Sequence, residues 1–338
     1  HILSDSTRLT DTGIYIGVPY CPSHCSYCSF PAGIVPQDEE SQQNFVNMIE
    51  QDLQNVVQLI GMHSLRVKSL YIGGGTPTTL SAAQLRRLME ALRTHIDLTE
   101  LVEYTVEGGR PDTLDAEKLE TIASMGCGRM SINPQTMDDR VLVIMGRSHT
   151  SGDILRAYDQ AVAAGHTDIN MDLIAGLPGD TPEGFRHTME QVLSLAPTNI
   201  TVHTLALKKG SRILMEGLSI PDGAAVQAML DYAAPTLRAA GFVPYYLYRQ
   251  KYMSGSFENV GWSRPGGECW YNVDIMSELC SILSFGAGGS TKMVEPGTNH
   301  IERVFNLKYP KEYTERPEKI QQNQAAFAEF YQKYVPET

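Results

Sequence analysis

Three cysteines near the start of the chain have a spacing that suits an iron-sulfur cluster. Cys21, Cys25 and Cys28 form a CxxxCxxC run directly after an apolar, strand-like stretch, and no fourth cysteine lies nearby. A loop of this spacing can place three thiolates on one side of a cubane 4Fe-4S cluster. One iron then has no protein ligand and can bind the amino and carboxylate groups of a small molecule. The sequence therefore predicts a 4Fe-4S cluster with one open iron, held by these three cysteines.

Two other uses of these cysteines fit the sequence less well. A structural zinc site more usually shows paired CxxC hooks, or one CxxC with distant histidines, whereas His24 lies inside the loop. A disulfide framework is disfavoured because six cysteines in 338 residues is sparse. The remaining cysteines, Cys127, Cys269 and Cys280, lie in mostly apolar stretches, so we expect them to be small core residues.

The composition argues against some classes of protein. Hydrophobic residues make up 42% of the chain and charged residues 20%, which is ordinary for a globular protein. A formal net charge of -12 argues against nucleic-acid binding, because phosphates require a basic face. No stretch approaches the roughly 20 apolar residues that cross a bilayer, so no membrane span is predicted. We expect a cytoplasmic, reducing location, and an upstream segment before His1 because the chain does not begin with methionine.

The first two-thirds of the sequence alternates short apolar runs with longer amphipathic stretches. This alternation predicts repeated βα units and an α/β fold, a partial (β/α)6 TIM-like barrel with a parallel sheet, over residues 1–211. Residues 212–338, where the alternation ends, are expected to form a smaller C-terminal accessory region. Strands are predicted at 14–18, 69–72, 103–106, 129–133, 168–173 and 199–205, with a tyrosine-rich strand at 244–252. Helices are predicted at 39–59, 81–94 behind the capping residue Ser81, 116–125, 152–164, 182–195 behind Thr181, 223–240 and 315–334.

Polar motifs recur just past the predicted strand ends, where parallel barrels carry their functional face. Gly73, Gly74, Gly75 and Thr76 follow the second strand, and the glycines let a backbone approach a ligand closely. Glu107 ends the third strand as a carboxylate beside two glycines. We therefore expect these loops to bind a ligand.

The next strand ends add further hydrogen-bonding side chains. Gln135 follows the fourth strand and offers both a donor and an acceptor. Arg147 comes after it, where its guanidinium can clamp a carboxylate bidentately or cap a helix. Asp172 lies within an otherwise apolar strand, where a buried carboxylate requires a ligand or an internal partner.

These blocks, in this order, resemble the radical S-adenosylmethionine (SAM) superfamily. Over nearly the whole chain they are similar to its oxygen-independent coproporphyrinogen III oxidase/dehydrogenase family, the HemN-like proteins, and most of all to the HemZ branch. The segments that carry this resemblance are YIGVPYC at 15–21, GGGTPT at 73–78, DLIAGLP at 172–178, YYLYRQK at 245–251 and ENVG at 258–261.

The resemblance implies residue roles. The open iron would bind SAM, and the residues that would contact this molecule are Tyr15, Gly74, Glu107 and Ala206. A second site, for another SAM molecule or for substrate, would be lined by Gly75, Thr76, Gln135, Arg147 and Asp172, and Tyr27 and Gly73 complete the implied cofactor-binding set. The resemblance thus implies one or two SAM molecules.

The resemblance also implies a reaction. In such enzymes a 5'-deoxyadenosyl radical takes a hydrogen atom from the β-carbon of a propionate side chain. Loss of carbon dioxide and one electron then leaves a vinyl group, so that coproporphyrinogen III becomes protoporphyrinogen IX in heme biosynthesis. A reducing electron donor such as flavodoxin or ferredoxin is the implied partner.

The tyrosine-rich strand suits such a substrate on separate grounds. A porphyrinogen is a broad apolar ring rimmed by carboxylates. Flat apolar surface and cationic ends would come from Tyr245, Tyr246, Tyr248 and Tyr252, interleaved with Arg249 and Lys251. Lys208, Lys209 and Arg212 would add basic charge beyond the sixth strand. A half-buried strand with snorkelling cations is the alternative interpretation.

Two further functions stay open because the sequence departs from the oxidases. The oxidases usually continue the motif as CxxxCxxCxC, whereas Phe30 stands at the last position here, and Gly17 replaces the usual histidine. A heme chaperone of the HemW type shares the CxxxCxxCxF pattern but carries an HNxxYW motif, where this chain reads ECWYN at 268–272. A radical SAM methyltransferase or heme-degrading enzyme is the third candidate.

Overall fold

The structure is a computed structural model that describes residues 10–28, 30, 33–36, 38–207, 211–249, 257–295 and 297–334. Its strands are β1 (Asp11–Val18), β2 (Tyr20–Cys21), β3 (Gly33–Ile34), β4 (Arg66–Gly74), β5 (Glu103–Gly109), β6 (Arg129–Ile132), β7 (Asp168–Ala175), β8 (Asn199–Thr204), β9 (Val243–Tyr248), β10 (Asn259–Ser263), β11 (Ser281–Gly286), β12 (Ser290–Val294) and β13 (Ile301–Phe305). Its helices are α1 (Glu39–Met62), α2 (Ala82–His95), α3 (Ala116–Ser124), α4 (Asp139–Ile144), α5 (Ser151–Ala163), α6 (Pro182–Ser194), α7 (Arg212–Glu216), α8 (Gly223–Ala239), α9 (Trp270–Ser277), α10 (Pro310–Glu315) and α11 (Pro317–Tyr334).

Six parallel strands form the centre of the sheet. They lie in the order β1, β4, β5, β6, β7, β8, which is also their order along the chain. These are the six strands that the sequence predicts, and the predicted α/β fold with a parallel core is confirmed. Because all six run the same way, their carboxyl ends meet at one edge, which we call the C-terminal face.

The side chains of β1 alternate between two environments: the hydrophobic core between sheet and helices, and the interior of the barrel. Ile14, Ile16 and Val18 are 0% exposed and belong to the same hydrophobic core as residues of α1. Tyr15 points to the opposite face, where its ring stacks on that of Tyr71 in β4. Successive side chains of a strand point to opposite faces. The apolar residues of β1 therefore face the helices, and the inner face carries polar and aromatic side chains.

The helices begin at the residues that the sequence marks as caps. Ser81 accepts a hydrogen bond from the Gln84 N–H, and the Gln84 side chain accepts one from the Ser81 N–H, a reciprocal capping box at the start of α2. Thr181 accepts a hydrogen bond from the Gly184 N–H at the start of α6. Within the ranges that the structure describes, no helix is both long and apolar enough to cross a membrane.

The C-terminal region widens the sheet at both edges. On one side β11 pairs in parallel with β1, and β12 and β13 follow as antiparallel strands. On the other side β10 and then β9 add antiparallel to β8. The sequence predicts only β9 among these five strands, and residues 250–252 of that prediction lie outside the described residues. A division at 211/212 stays a prediction, and 11 strands form one sheet.

A short helix closes the barrel at the amino ends of its strands. Helix α9 packs against both β4 and β9, although five other strands separate these two in the sheet. A helix of eight residues can contact both only if the sheet curls. The carboxylate of Glu103, the first residue of β5, accepts hydrogen bonds from the N–H groups of Trp270 and Tyr271 at 2.7 and 3.2 Å. An acidic group at a helix amino terminus is stabilising, so Glu103 holds the helix in place.

Candidate active site

The three cysteines occupy a segment that we call the cysteine loop, residues 21–28. Cys21 is the last residue of β2, and Cys25 and Cys28 follow in turns. The Thr76 hydroxyl donates a hydrogen bond to Cys21 Sγ at 3.6 Å, and the Phe30 N–H donates one to Cys28 Sγ at 3.4 Å. Hydrogen bonds to sulfur are a regular feature of iron-sulfur sites.

Backbone contacts hold the cysteine loop against the C-terminal face. The Ser26 N–H donates to the carbonyl of Met145 at 3.0 Å, and the Ile213 N–H donates to the carbonyl of Ser26 at 3.2 Å. The Ser23 hydroxyl donates to the carbonyl of Gly146 at 3.2 Å. The loop therefore lies at the strand ends, where the sequence places the other candidate site residues.

The three thiols have the donor chemistry that an iron-sulfur cluster requires. Among the described residues no three His, Cys, Asp or Glu side chains are grouped to hold one ion, as zinc would require. In a cubane cluster each thiolate binds a different iron, so its ligands lie farther apart. Burial raises the pKa of the Cys21 thiol to about 11, whereas Thr76 and the charge of Arg110 act to lower it. Iron binding would therefore displace a proton from this thiol.

The glycine triplet is packed so tightly that larger residues do not fit. A Cβ on Gly73 would lie 2.8 Å from Glu107 Oε2, and a Cβ on Gly75 would lie 2.5 Å from the Tyr20 carbonyl and 3.0 Å from Cys21 Sγ. Gly74 has a φ of +118°, which side-chain-bearing residues rarely adopt. The triplet thus joins the cysteine loop to the carboxylate at the end of β5.

Glu107 faces the interior, where two hydrogen bonds do not offset the cost of ionising its half-buried carboxylate. Its carboxylate accepts hydrogen bonds from the Tyr71 hydroxyl at 2.7 Å and the Gly74 N–H at 3.0 Å. The protein atoms around the carboxylate exclude water, and this loss of solvation raises the pKa of Glu107 to about 7. A cationic group bound beside Glu107 would favour the ionised carboxylate. The ammonium group of an amino acid has the charge that this position lacks.

Three stacked tyrosines form a slab inside the barrel. The ring centroids of Tyr71 and Tyr271 are 4.5 Å apart, and Tyr15 stacks on both at 6.1 and 5.9 Å. Tyr271 comes from α9, so the closing helix supplies one wall of the interior. The slab offers flat apolar surface next to Glu107.

Gln135 and Arg147 are both buried and incompletely paired. Gln135 has a φ of +66°, and its N–H donates to the Asp172 carbonyl at 2.9 Å. The Arg147 guanidinium donates to the Asn133 carbonyl and to the Tyr27 hydroxyl, each at 2.9 Å. Within the described residues, Gln135 Oε1 and Arg147 Nε have no hydrogen-bond partner. A strained backbone and unpaired polar atoms are features that functional sites tolerate.

Asp172 has the internal partners that its cost of burial requires. Asn170 donates to its carboxylate at 2.9 Å, and His203 Nε2 lies 3.7 Å from it. Burial opposes ionisation, but His203, Asn170 and Thr201 outweigh it and lower the pKa of Asp172. His203 Nδ1 in turn lies 3.4 Å from the Tyr248 hydroxyl. A polar chain therefore crosses the inner face from β7 to β9.

The geometry agrees with comparisons with known proteins. The model of the Radical SAM superfamily matches residues 15–192. The chain belongs to the radical SAM superfamily. It is 38% identical over 316 residues to the oxygen-independent coproporphyrinogen-III oxidase-like protein HemZ of Bacillus subtilis, covering 92% of this chain and 63% of HemZ. It is 30% identical over 311 residues to the heme chaperone HemW of Bacillus subtilis, covering 88% of this chain and 76% of HemW. Its fold matches coproporphyrinogen III oxidase (HemN) from Escherichia coli with a TM-score of 0.74 and 20% identity, covering 98% of this chain and 81% of HemN.

These findings confirm the predicted HemN-like radical SAM family and its cofactors, a 4Fe-4S cluster and SAM. The chain spans 63% of the length of HemZ, less than two-thirds. The number of SAM molecules and the role of each residue stay predictions.

Among the outer candidate residues of this radical SAM protein that the structure describes, Tyr248 reaches the inner face, whereas two arginines lie at the surface. Ala206 is half-buried just past β8, and Tyr248 reaches the inner face through His203. Arg249 and Arg212 are largely exposed and pair with Glu258 at 2.8 Å and Glu216 at 2.7 Å. Lys251, Tyr252, Lys208 and Lys209 lie outside the described residues.

Four interior or near-site residues are missed by sequence reasoning. Tyr71, Tyr271 and His203 face the interior, and Arg110 holds the cysteine loop. Side chains two residues apart on a strand share a face, so Tyr71 lies on the same face of its strand as Gly73. His203 lies on the face that Asp172 occupies in the neighbouring strand. This alternation could have identified both residues from the sequence. Tyr271 and Arg110 carry no such signal, because their positions depend on contacts between distant segments.

Proposed function

We propose that this radical SAM protein catalyses the oxygen-independent oxidative decarboxylation of coproporphyrinogen III propionates to vinyl groups. The similarity to HemZ supports this, and the HemN-like fold is compatible with it. The observation that carries the proposal is the continuity of the site. Gly75 packs on Cys21, and the triplet that contains it packs on Glu107, whose carboxylate faces an aromatic interior.

The residues of the chain are proposed to have the following roles. When bound, the cluster and SAM would supply the chemistry that removes a hydrogen atom from the propionate β-carbon. Cys21, Cys25 and Cys28 would hold the cluster. Glu107 and the Gly74 backbone would hold the ammonium group of SAM. The residues proposed to complete the cofactor pocket are Tyr15, Tyr27, Gly73, Gly75, Thr76, Gln135, Arg147, Asp172 and Ala206.

The substrate would enter the barrel from the C-terminal face. Tyr246 lies flat over Gly261 and stacks near Tyr248 at 6.3 Å, which gives β9 an aromatic inner surface. Arg212, Arg249 and Lys251 are the cations proposed to meet the outer carboxylates. A low-potential donor such as flavodoxin or ferredoxin in a reducing cytoplasm would supply the electron that starts each turnover, and the electron released with carbon dioxide requires a one-electron acceptor.

A heme chaperone of the HemW type is the second candidate, because the chain covers 76% of HemW. The segment at 268–272, whose ECWYN sequence lacks the histidine of the HemW heme motif, favours the enzyme. Cys269 and Tyr271 are 1% and 8% exposed, and the N–H groups of Trp270 and Tyr271 are bonded to Glu103. These residues anchor a helix and are not offered to a heme.

An anaerobic assay of the reconstituted protein separates the candidates. The protein is incubated with coproporphyrinogen III, SAM, a chemical reductant and a one-electron acceptor, and products are followed by mass spectrometry. The proposal expects one carbon dioxide for each vinyl group formed, and neither product from Cys25→Ala. A methylated product would reject the proposed activity in favour of a methyltransferase. Tight retention of heme without turnover would reject it in favour of a chaperone.

A further inference from the structure

We propose that Arg110 is a positioning residue that fixes the cysteine loop and raises the reduction potential of the cluster. Arg110 is the residue after β5, and neither the spacing of the cysteines nor the resemblance assigns it a role. The inference rests on the cluster that family membership implies. It does not depend on which substrate the enzyme takes.

The contacts of Arg110 are those of a clamp. Its guanidinium is 3% exposed and binds the carboxylate of Asp112 bidentately, with Nε and Nη2 at 3.0 and 2.8 Å. Nη1 donates to Ser23 twice, at 2.8 Å to the hydroxyl and 3.2 Å to the carbonyl. Ser23 lies between Cys21 and Cys25, so the clamp acts on the part of the loop that separates two cluster ligands.

Asp112 is itself held from the other side. His149 Nδ1 lies 3.3 Å from its carboxylate, and the Ser148 hydroxyl donates to it at 3.4 Å. Burial favours the neutral acid, but His149 and Arg110 outweigh it and hold the pKa of Asp112 well below its usual range. The clamp therefore joins three segments: the loop after β5, the loop before α5, and the cysteine loop.

The charge on this clamp acts on the cluster as well as on the fold. A guanidinium close to the cluster favours the reduced state, which carries one more negative charge. Asp112 partly offsets the positive charge of Arg110, because its carboxylate binds the Nε and Nη2 edge of the guanidinium, whereas Ser23 binds Nη1. Removing Arg110 leaves Asp112 uncompensated and should move the potential to more negative values. Removing the Asp112 charge leaves Arg110 uncompensated and should move it to more positive values.

A second buried arginine provides a matched control. Arg129 is also 3% exposed and pairs with Asp168 at 2.8 Å. It is the first residue of β6, at the opposite end of the strands from the cysteine loop. Arg129→Gln removes a comparable buried charge and a comparable set of hydrogen bonds without touching the loop.

The test measures the midpoint potential of the 4Fe-4S cluster by an anaerobic titration monitored by electron paramagnetic resonance (EPR). We expect shifts of opposite sign in Arg110→Gln and Asp112→Asn, and no shift in Arg129→Gln. Iron and sulfide content is measured on the same samples, and Arg110→Gln should retain less cluster than Arg110→Lys, which keeps the charge.

A purely structural clamp would lower the cluster content of both variants without moving their potentials apart. Equal potentials, or shifts of the same sign, in cluster-loaded Arg110→Gln and Asp112→Asn would therefore overturn the proposal. If Arg110→Gln retains no cluster, Asp112→Asn decides alone: a positive shift supports the proposal, and no shift or a negative one rejects it.

Discussion

Replacing Glu107 with glutamine should change how the stability of the protein depends on pH. Burial raises the pKa of Glu107 from 4.5 to about 7, although Tyr71 and Gly74 donate hydrogen bonds to the carboxylate. The carboxyl group has its ordinary pKa in the unfolded chain, so the folded protein binds this proton more tightly. The free energy of unfolding must therefore fall as pH rises from about 4.5 to about 7.

The size of the effect follows from the size of the shift. A rise from 4.5 to about 7 corresponds to about 3 kcal/mol as an upper limit. Glu107 is half-buried, and solvent screening reduces the effect to about 1 to 2 kcal/mol. Glutamine resembles the protonated acid: it has one acceptor oxygen, which can serve either Tyr71 or Gly74, and it has no proton to lose. The stability of Glu107→Gln relative to the wild type should thus be greater at about pH 8 than at about pH 5.

The measurement is denaturant unfolding of the cluster-loaded, SAM-free protein under anaerobic conditions at these two pH values. Glu120→Gln removes an exposed carboxylate and serves as the control. The same pH dependence in Glu107→Gln as in the wild type would refute the reasoning, since it would mean that the folded site does not disfavour the Glu107 charge.

Two other substitutions test the packing that supports the site. Gly75→Ala should lose most of the cluster iron, because the added Cβ would lie 3.0 Å from Cys21 Sγ. Gly128→Ala is the control and should keep its iron, because the added Cβ meets open space. Equal iron contents in the two variants would contradict this expectation. Tyr313→Phe should lower the free energy of unfolding by about 1 to 3 kcal/mol. The tyrosine hydroxyl donates to buried Asp52 at 2.6 Å, and an unchanged denaturation midpoint would show that this bond contributes nothing.

The parallel core could be predicted because its signals are local. Each strand is a short apolar run, and α2 and α6 begin at Ser81 and Thr181, whose side chains cap them within a few residues. The loops after the strands then fall on one face, whatever the detailed packing. Order along the chain alone therefore predicts that the cysteine loop, the glycine triplet and Glu107 lie on the same face.

The rest of the site depends on contacts that the sequence does not encode locally. Strand β11 pairs with β1 across about 270 residues of chain (Thr12 with Ser281), and a Cβ on Gly286 would lie 2.2 Å from the Gly17 carbonyl. Tyr271 reaches the interior only because α9 bridges the curled sheet. Arg110 follows two glycines and precedes a proline, which reads as a turn, and its clamp on Ser23 exists only in the folded chain.

The central claim is that three cysteines leave one iron open to SAM, and spectroscopy of the reduced cluster tests it most directly. The anaerobically reconstituted protein is reduced, and its EPR spectrum is recorded with and without SAM, alongside Cys25→Ala. The account predicts about four irons per chain and a SAM-dependent change of the spectrum, both lost in the variant. Zinc bound by these thiols, or a cluster spectrum that SAM leaves unchanged, would contradict it.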